Sequence, residues 1–457
     1  MNDNNTVADK YRNVDDMGEE KISKLLVRFS LPATLGMIVM ASYNIVDAAF
    51  VGRLGSDALA ALSVAFPIQM VFGALAIGTG VGAASLISRA LGAGNREQAV
   101  MAVGQLFLLA VIYTILTTAG GRFFLEPLLI LFGATPDIIG LTMDYMIIII
   151  DWSVMLYFIM MLNNSVRAEG NAMLPMKVMI ISAVINIILD PIFIFYLEMG
   201  IRGAAVATVI AKVAGVVMLL WHYIGGKSPL EISYRHFKPH LATIGEIYKV
   251  GIPTILVQMS HNIALIVTNR VLGAYGYTAI AAMGLVFRLQ MFALMPVIGI
   301  SQGLLPIIGF NFGAKKIMRI REALFKGIAA ASIIIFVMTV LMFAFPELIL
   351  RIFTSDEALL EMGTFATRIM VVMWPLLAIP IIGGVFFQAI GKGIPALMIS
   401  LLRQLIFYVP LLLILPNIFD LTGVWLTMPL ADFLTFAFSI LLVLRELKKR
   451  NIPLRLE

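Results

Sequence analysis

No cysteine occurs in the 457 residues, which excludes disulfides and thiolate metal sites. Charge is scarce too, with Asp, Glu, Lys and Arg making up only 13% of the chain. A soluble protein of this length needs far more to cover its surface. Only four histidines are present, and three of them stand on or near one polar stretch in mid-chain, so they build no metal cage. No G-x-x-x-x-G-K-[ST] loop supports ATP hydrolysis within this chain, and neither H-E-x-x-H nor G-x-S-x-G marks a hydrolase. The chain is therefore read as a non-enzyme. Met1 to Lys24 has no apolar core, so it reads as neither a signal peptide nor a transit peptide.

What fills the chain is apolar surface: 60% of residues are hydrophobic and the mean hydropathy is +0.97. Apolar runs of about 20 residues recur along the length, each enough to cross roughly 30 Å of hydrocarbon. Backbone polar groups in lipid must be satisfied within the segment, so the runs are expected to be helices. The pattern predicts twelve. They cover 27–51, 58–90, 99–118, 136–162, 172–196 and 201–224, then 245–271, 278–310, 321–345, 357–388, 395–418 and 421–445. The 37 glycines suit close helix packing and the 19 prolines suit kinks. The implied organisation is a polar tail at 1–26 with an amphipathic start, a first lobe at 27–224, a linker at 225–244, a second lobe at 245–445 and a basic tail at 446–457.

Lys and Arg divide unevenly between the two sides of such a topology. One side holds 24, including Lys10, Arg12, Lys177, Lys227 and Arg455, whereas the other holds only Arg53, Arg122, Arg202 and Arg351. The positive-inside rule then places both termini in the cytoplasm. The asymmetry also accounts for the net charge of +6 without a nucleic-acid partner.

The chain repeats itself. Pro32 and Pro253 stand 221 positions apart (253 − 32), and the same interval relates Gly52 to Gly273, Gly78 to Gly299, Gly82 to Gly303, Gly92 to Gly313 and Gly170 to Gly391. One register held across loops is not a by-product of glycine-rich helices. Six helices per copy is an even number, so both copies enter the membrane in the same direction. The expected fold is an all-α integral membrane protein of 12 transmembrane helices, in two six-helix bundles related by a pseudo-two-fold axis along the membrane normal.

Ionisable groups inside spans cost about 2.5–3.5 kcal/mol on insertion scales, so each needs a reason to be there. Asp47 lies in the first helix, while Asn186 and Asp190 are four apart on the fifth and share a face. Burial disfavours the charged form of a carboxyl, which suits it to exchange protons, and oxygen ligands also suit Na⁺. The competing account is structural: Asp47 pins a bend, and Asp190 before Pro191 satisfies freed backbone groups. Asp151, beside Trp152, either attracts cationic substrates or faces water near the membrane surface. Arg270, Arg288, Arg403 and Asp432 are candidates for buried charge in the second lobe, with an Arg403–Asp432 pair expected. Met155 and Met291 are candidates for a deformable, polarizable substrate cavity.

Pro32, Asn44-Ile-Val-Asp-Ala-Ala-Phe-Val-Gly-Arg-Leu-Gly55, Ala58-Leu-Ala-Ala-Leu62, Gly92-Ala-Gly-Asn95 and its echo Phe312-Gly-Ala-Lys315 closely resemble the MATE (multidrug and toxic compound extrusion) transporters. The similarity spans residues 20–445. It implies a V-shaped pair of lobes around a central cavity, and export of bulky, often cationic or amphipathic compounds driven by inward H⁺ or Na⁺ flow. The prokaryotic branch with coupling carboxylates in the N-lobe has a pattern that matches Asp47, Tyr145, Asn163, Asn186, Asp190 and Thr208. With Na⁺ as the ion, Asp47, Asn186, Asp190 and Thr208 would be its ligands. Another branch carries an acidic residue on the seventh helix. This chain reads Gln258-Met-Ser-His261 there, so that carboxylate is absent, and either His261 titrates in its place or it is a hydrogen-bonded cavity histidine.

The reading is a secondary active exporter working by rocker-type alternating access. It needs no cofactor beyond H⁺ or Na⁺, acts on small drugs or toxic organic cations, and sits as a monomer in the cytoplasmic membrane of a prokaryote. The alternative is a lipid-linked oligosaccharide flippase of the same superfamily, for which about fourteen helices and a cationic cavity are expected. The residues leave substrate identity and the choice of ion open.

Overall fold

The computed structural model describes residues 13–453, so Lys10, Arg12 and Arg455 lie outside the described residues. Among the described residues ten helices are long and apolar enough to cross a membrane, and two bent pairs bring the spans to twelve. The first six are α1 (Ile22–Gly52), α2 (Ser56–Gly92), α3 (Arg96–Leu131), α4 (Pro136–Asp151 bent by 54° into Ser153–Ala168), α5 (Met173–Pro191) and α6 (Ile201–Ile224). The second six are α7 (Leu241–Leu272), α8 (Tyr277–Gly313), α9 (Ile317–Ala344), α10 (Glu357–Val371 bent by 48° into Trp374–Ala389), α11 (Gly393–Ile414) and α12 (Pro416–Lys449). Among the described residues there is no strand.

Several helices outrun their predicted ends. The third was expected to stop at 118, but α3 continues to Leu131 and carries Arg122 within the helix. Gly120, Gly121 and Arg122 mark a loop by composition, yet intrahelical bonding tolerates them there. Two spans change winding. α5 passes into a π-turn at Ile192–Tyr196 directly after Pro191, which has no N–H for the α-helical ladder. α11 contains a second π-segment at Leu402–Tyr408. The polar linker holds a short 3-10 turn at Tyr234–Phe237.

By contact the described residues form two compact units, residues 13–19 with 35–255 and residues 20–34 with 256–453. The divisions fall not in the linker but inside α1 and α7, three residues past Pro32 and Pro253. Glycine explains each grouping. Gly78 and Gly82 of α2 lie so close to the Gly251 and Ile247 carbonyls of α7 that a Cβ has no room. In the other unit Gly299 and Gly303 of α8 are equally close to the Phe29–Thr34 stretch of α1. Both are small-xxx-small stripes of the kind that lets membrane helices approach backbone to backbone.

The apolar cores repeat at the 221 interval as well. Val51, Ala58, Ala61, Ala65 and Tyr145 pack together in the first unit. Leu272, Ala279, Ala282, Val286 and Ala366 take the corresponding places in the second.

Candidate functional site

The site grows from the bends of the first unit. In α5, Asn186 and Asp190 are one turn apart and both buried, at 1% and 0% exposure. Asn186 Nδ2 donates to Asp190 Oδ1 at 3.2 Å and, more weakly, to Thr208 Oγ1 of α6 at 3.4 Å. Asp47 of α1 is half-buried, with its carboxyl close to that of Asp190. Tyr145 of α4, buried, comes near Asp47 and near Gln69 of α2. Tyr43, one turn before Asp47, completes the ring.

Oxygen acceptors here outnumber donors. Asp47 Oδ1, Asn186 Oδ1 and Asp190 Oδ2 are all buried without a hydrogen-bond partner. Unpartnered buried oxygens are costly and point to something that binds them. A proton between two carboxyls or a hard, oxygen-seeking cation fits this donor set. A transition-metal site does not follow from it, since no group of three His, Cys, Asp or Glu comes together among the described residues.

One charged neighbour escaped the sequence reading. Lys212 of α6 lies one turn beyond Thr208 and is the cation within electrostatic reach of Asp47. It makes no hydrogen bond or ion pair with the described residues, and its ammonium stays unmatched in an apolar span. It belongs to neither loop set of the charge count, although a lone lysine in an otherwise apolar helix is itself a signal. Tyr43 and Gln69 carried none, because polar residues of this kind usually serve as interhelical glue.

Other expected residues stand apart. Asn163 is buried on the second arm of α4 with its Oδ1 unpartnered, and no hydrogen bond joins it to the carboxyl pair. Asp151 ends the first arm of α4 and pairs with Arg122 at 2.9 Å. Arg202 pairs similarly with Asp144 at 2.6 Å, and Arg351 with Glu347 at 2.9 Å. Met155 is half-buried on α4.

In the second unit Gln258 is half-buried and His261 exposed on α7, and Met291 is 61% exposed on α8. His261 makes no hydrogen bond with the described residues and lies within electrostatic reach of Arg403. Arg270 and Arg288 are exposed rather than buried. The expected Arg403–Asp432 pair is present at 2.7 Å, with Asp432 fully buried. Thr268, the counterpart of Asp47, bonds to Tyr408 at 2.9 Å, and no second carboxyl pair forms.

Twelve apolar spans, with a carboxylate pair packed inside the first unit, fit an ion-coupled membrane transporter. The sequence profile of the MatE family matches residues 32–192 and again 253–414, and this chain belongs to the MATE family of transporters. It is 28% identical to the multidrug export protein MepA of Staphylococcus aureus over 423 residues, 92% of this chain and 93% of that one. It is 27% identical to an FAD transporter of Shewanella oneidensis over 422 residues, 90% and 92% of the two chains. Among solved structures, an outward-facing multidrug resistance MATE transporter superposes with a TM-score of 0.90 at 26% identity, covering 95% of this chain and 98% of that one.

Proposed function

We propose that this protein is a multidrug exporter of the cytoplasmic membrane that exchanges amphipathic or cationic compounds for H⁺ or Na⁺. The observation that carries the reading is the Asp47–Asp190 pair, which together with Asn186 holds three unpartnered oxygens, in a unit whose repeat partner has no equivalent. The multidrug exporters among its relatives support the substrate class. The excess of Lys and Arg at one end supports cytoplasmic termini.

The charges suggest how exchange is coupled. With both carboxylates ionised and Lys212 protonated, the group carries a formal charge of −1, and one monovalent cation brings it to zero. Neutralisation relaxes the pull of Asp47 on α1 and Asn186 on α5, and α1 bends at Pro32, where its backbone ladder is already interrupted. Drug and ion then favour different conformations, which is all that antiport requires. Segments 27–224 and 245–445 are the lobes that rock. Thr208 and Asn186 orient the pair, Tyr145 walls it, and Asn163 supports α4 from outside the pair.

The test is ethidium efflux from proteoliposomes under separately imposed proton and sodium gradients. Efflux under one gradient identifies the ion, and efflux indifferent to both defeats the proposal.

A further inference from the structure

A second feature of the first unit lies where α5 begins and α6 ends. A cavity of about 490 Å³ opens there, with Lys177 and Asn171 on the α5 side, Trp221 and His222 on the α6 side, and Lys227 from the turn beyond. Its lining contains two ammonium groups and no carboxylate. Neither lysine side chain has a hydrogen bond or ion pair with the described residues.

The walls are built rather than loose. Gly226 takes a φ of +70°, which lets the N–H groups of Lys227 and Ser228 both return to the His222 carbonyl at 3.2 and 3.0 Å. That closure fixes the position of Lys227 past the end of α6. Behind it, the carboxylate of buried Glu169 is consumed internally: it takes hydrogen bonds from Tyr223 at 2.5 Å and Ser228 at 2.8 Å and pairs with His222 at 3.1 Å. On the α5 side, Asn171 Oδ1 accepts from Leu174 N at 3.0 Å and caps the helix.

The rim of this cationic cavity is greasy. Val217, Trp221 and Ile224 expose 57%, 64% and 82% of their surface. Exposed aliphatic and indole surface beside lysine at a helix end is the pattern of a bilayer interface. We propose that the cavity holds the headgroup of an anionic phospholipid, its phosphate between Lys177 and Lys227 and its acyl chains along Val217, Trp221 and Ile224. Basic pockets between membrane helices take such headgroups by charge complementarity. The site is separate from the carboxylate pair and does not depend on the transport reading.

Trp221 is a built-in reporter. The full chain is reconstituted in phosphatidylcholine vesicles containing phosphatidylglycerol brominated near the top of its acyl chains, or brominated phosphatidylcholine at equal mole fraction. The Trp221 signal is the difference between the parent protein and Trp221→Phe. Two lysines predict half-maximal quenching at a roughly thirty-fold lower mole fraction of the anionic lipid. Lys177→Ala/Lys227→Ala is expected to bring the two lipids to parity, and Lys177→Glu/Lys227→Glu to reverse the order, with thermal unfolding unchanged. Equal quenching of the parent protein by both lipids overturns the proposal, as does a preference that survives in the double variants. Loss of the preference on adding millimolar inorganic phosphate assigns the cavity to a small anion and equally overturns it.

Discussion

Replacing Asp190 with asparagine separates charge from shape at the centre of the carboxyl group. The new amide oxygen still accepts the Asn186 Nδ2 hydrogen bond, 3.2 Å long in the parent, so α5 keeps its local geometry. What disappears is one of two negative charges facing a bound cation. At a separation of about 4 Å and an effective dielectric near 20, one carboxylate contributes about 4 kcal/mol to holding a monovalent cation. That corresponds to roughly three orders of magnitude in cation affinity. Asp190→Asn is therefore expected to raise the half-maximal concentration of the driving ion about a thousand-fold, leaving efflux at the leak rate under ordinary gradients. Ethidium efflux from proteoliposomes reads this directly, and equilibrium dye binding to the same preparation controls for folding. Asp47→Asn should behave alike. Ion-driven efflux at the parent rate by either variant would refute the argument.

Lys212→Met removes the cation that opposes ion entry, so the half-maximal driving-ion concentration should fall; a rise would show that Lys212 assists the ion. Breaking the C-terminal pair by Asp432→Asn strands the half-buried Arg403 and should cost about 3 kcal/mol, whereas Arg403→Met/Asp432→Leu should recover most of that stability. Thermal unfolding in detergent checks both, and equal losses in the two variants would contradict the pairing argument. Gly82→Leu pushes a side chain against the Ile247 carbonyl, with an expected cost of about 1–3 kcal/mol or more, while Gly120→Leu, in open space, should be nearly silent. Indistinguishable unfolding temperatures for these two would remove close backbone approach as the reason for the glycine.

Much of the architecture was legible because the solvent imposes it. Lipid offers no hydrogen bonds, so apolar stretches of sufficient length have little choice but helix, and twelve predicted ranges correspond to twelve spans. The bends were less legible. Trp152 breaks α4 without proline or glycine, and α12 carries non-helical angles at Phe419 and Asp420. Side-chain packing settles such breaks, and no local propensity announces them.

The candidate site divides in the same way. Asn186 and Asp190 share a helix face by their spacing, and Asp47 was marked by the cost of a carboxylate in a span. Asp151 met the same criterion, yet the structure matches it with Arg122, which composition had placed in a loop. Lys212 stands in mid-span, outside the loops whose charges fix the topology, so the loop charge balance carries no trace of it.

The sequence by itself determined the medium, the helices, the duplication and the identity of the isolated carboxylates, since each follows from composition, spacing or solvation cost along one chain. Only the tertiary structure decided which charges meet. It matched Asp151 with Arg122, left Lys212 and three buried oxygens unmatched near Asp47, and divided α1 and α7 between the two units. Those outcomes depend on distances between helices far apart in sequence. Electrostatic and packing energies fall within a few ångströms, and one-dimensional spacing carries no such distances.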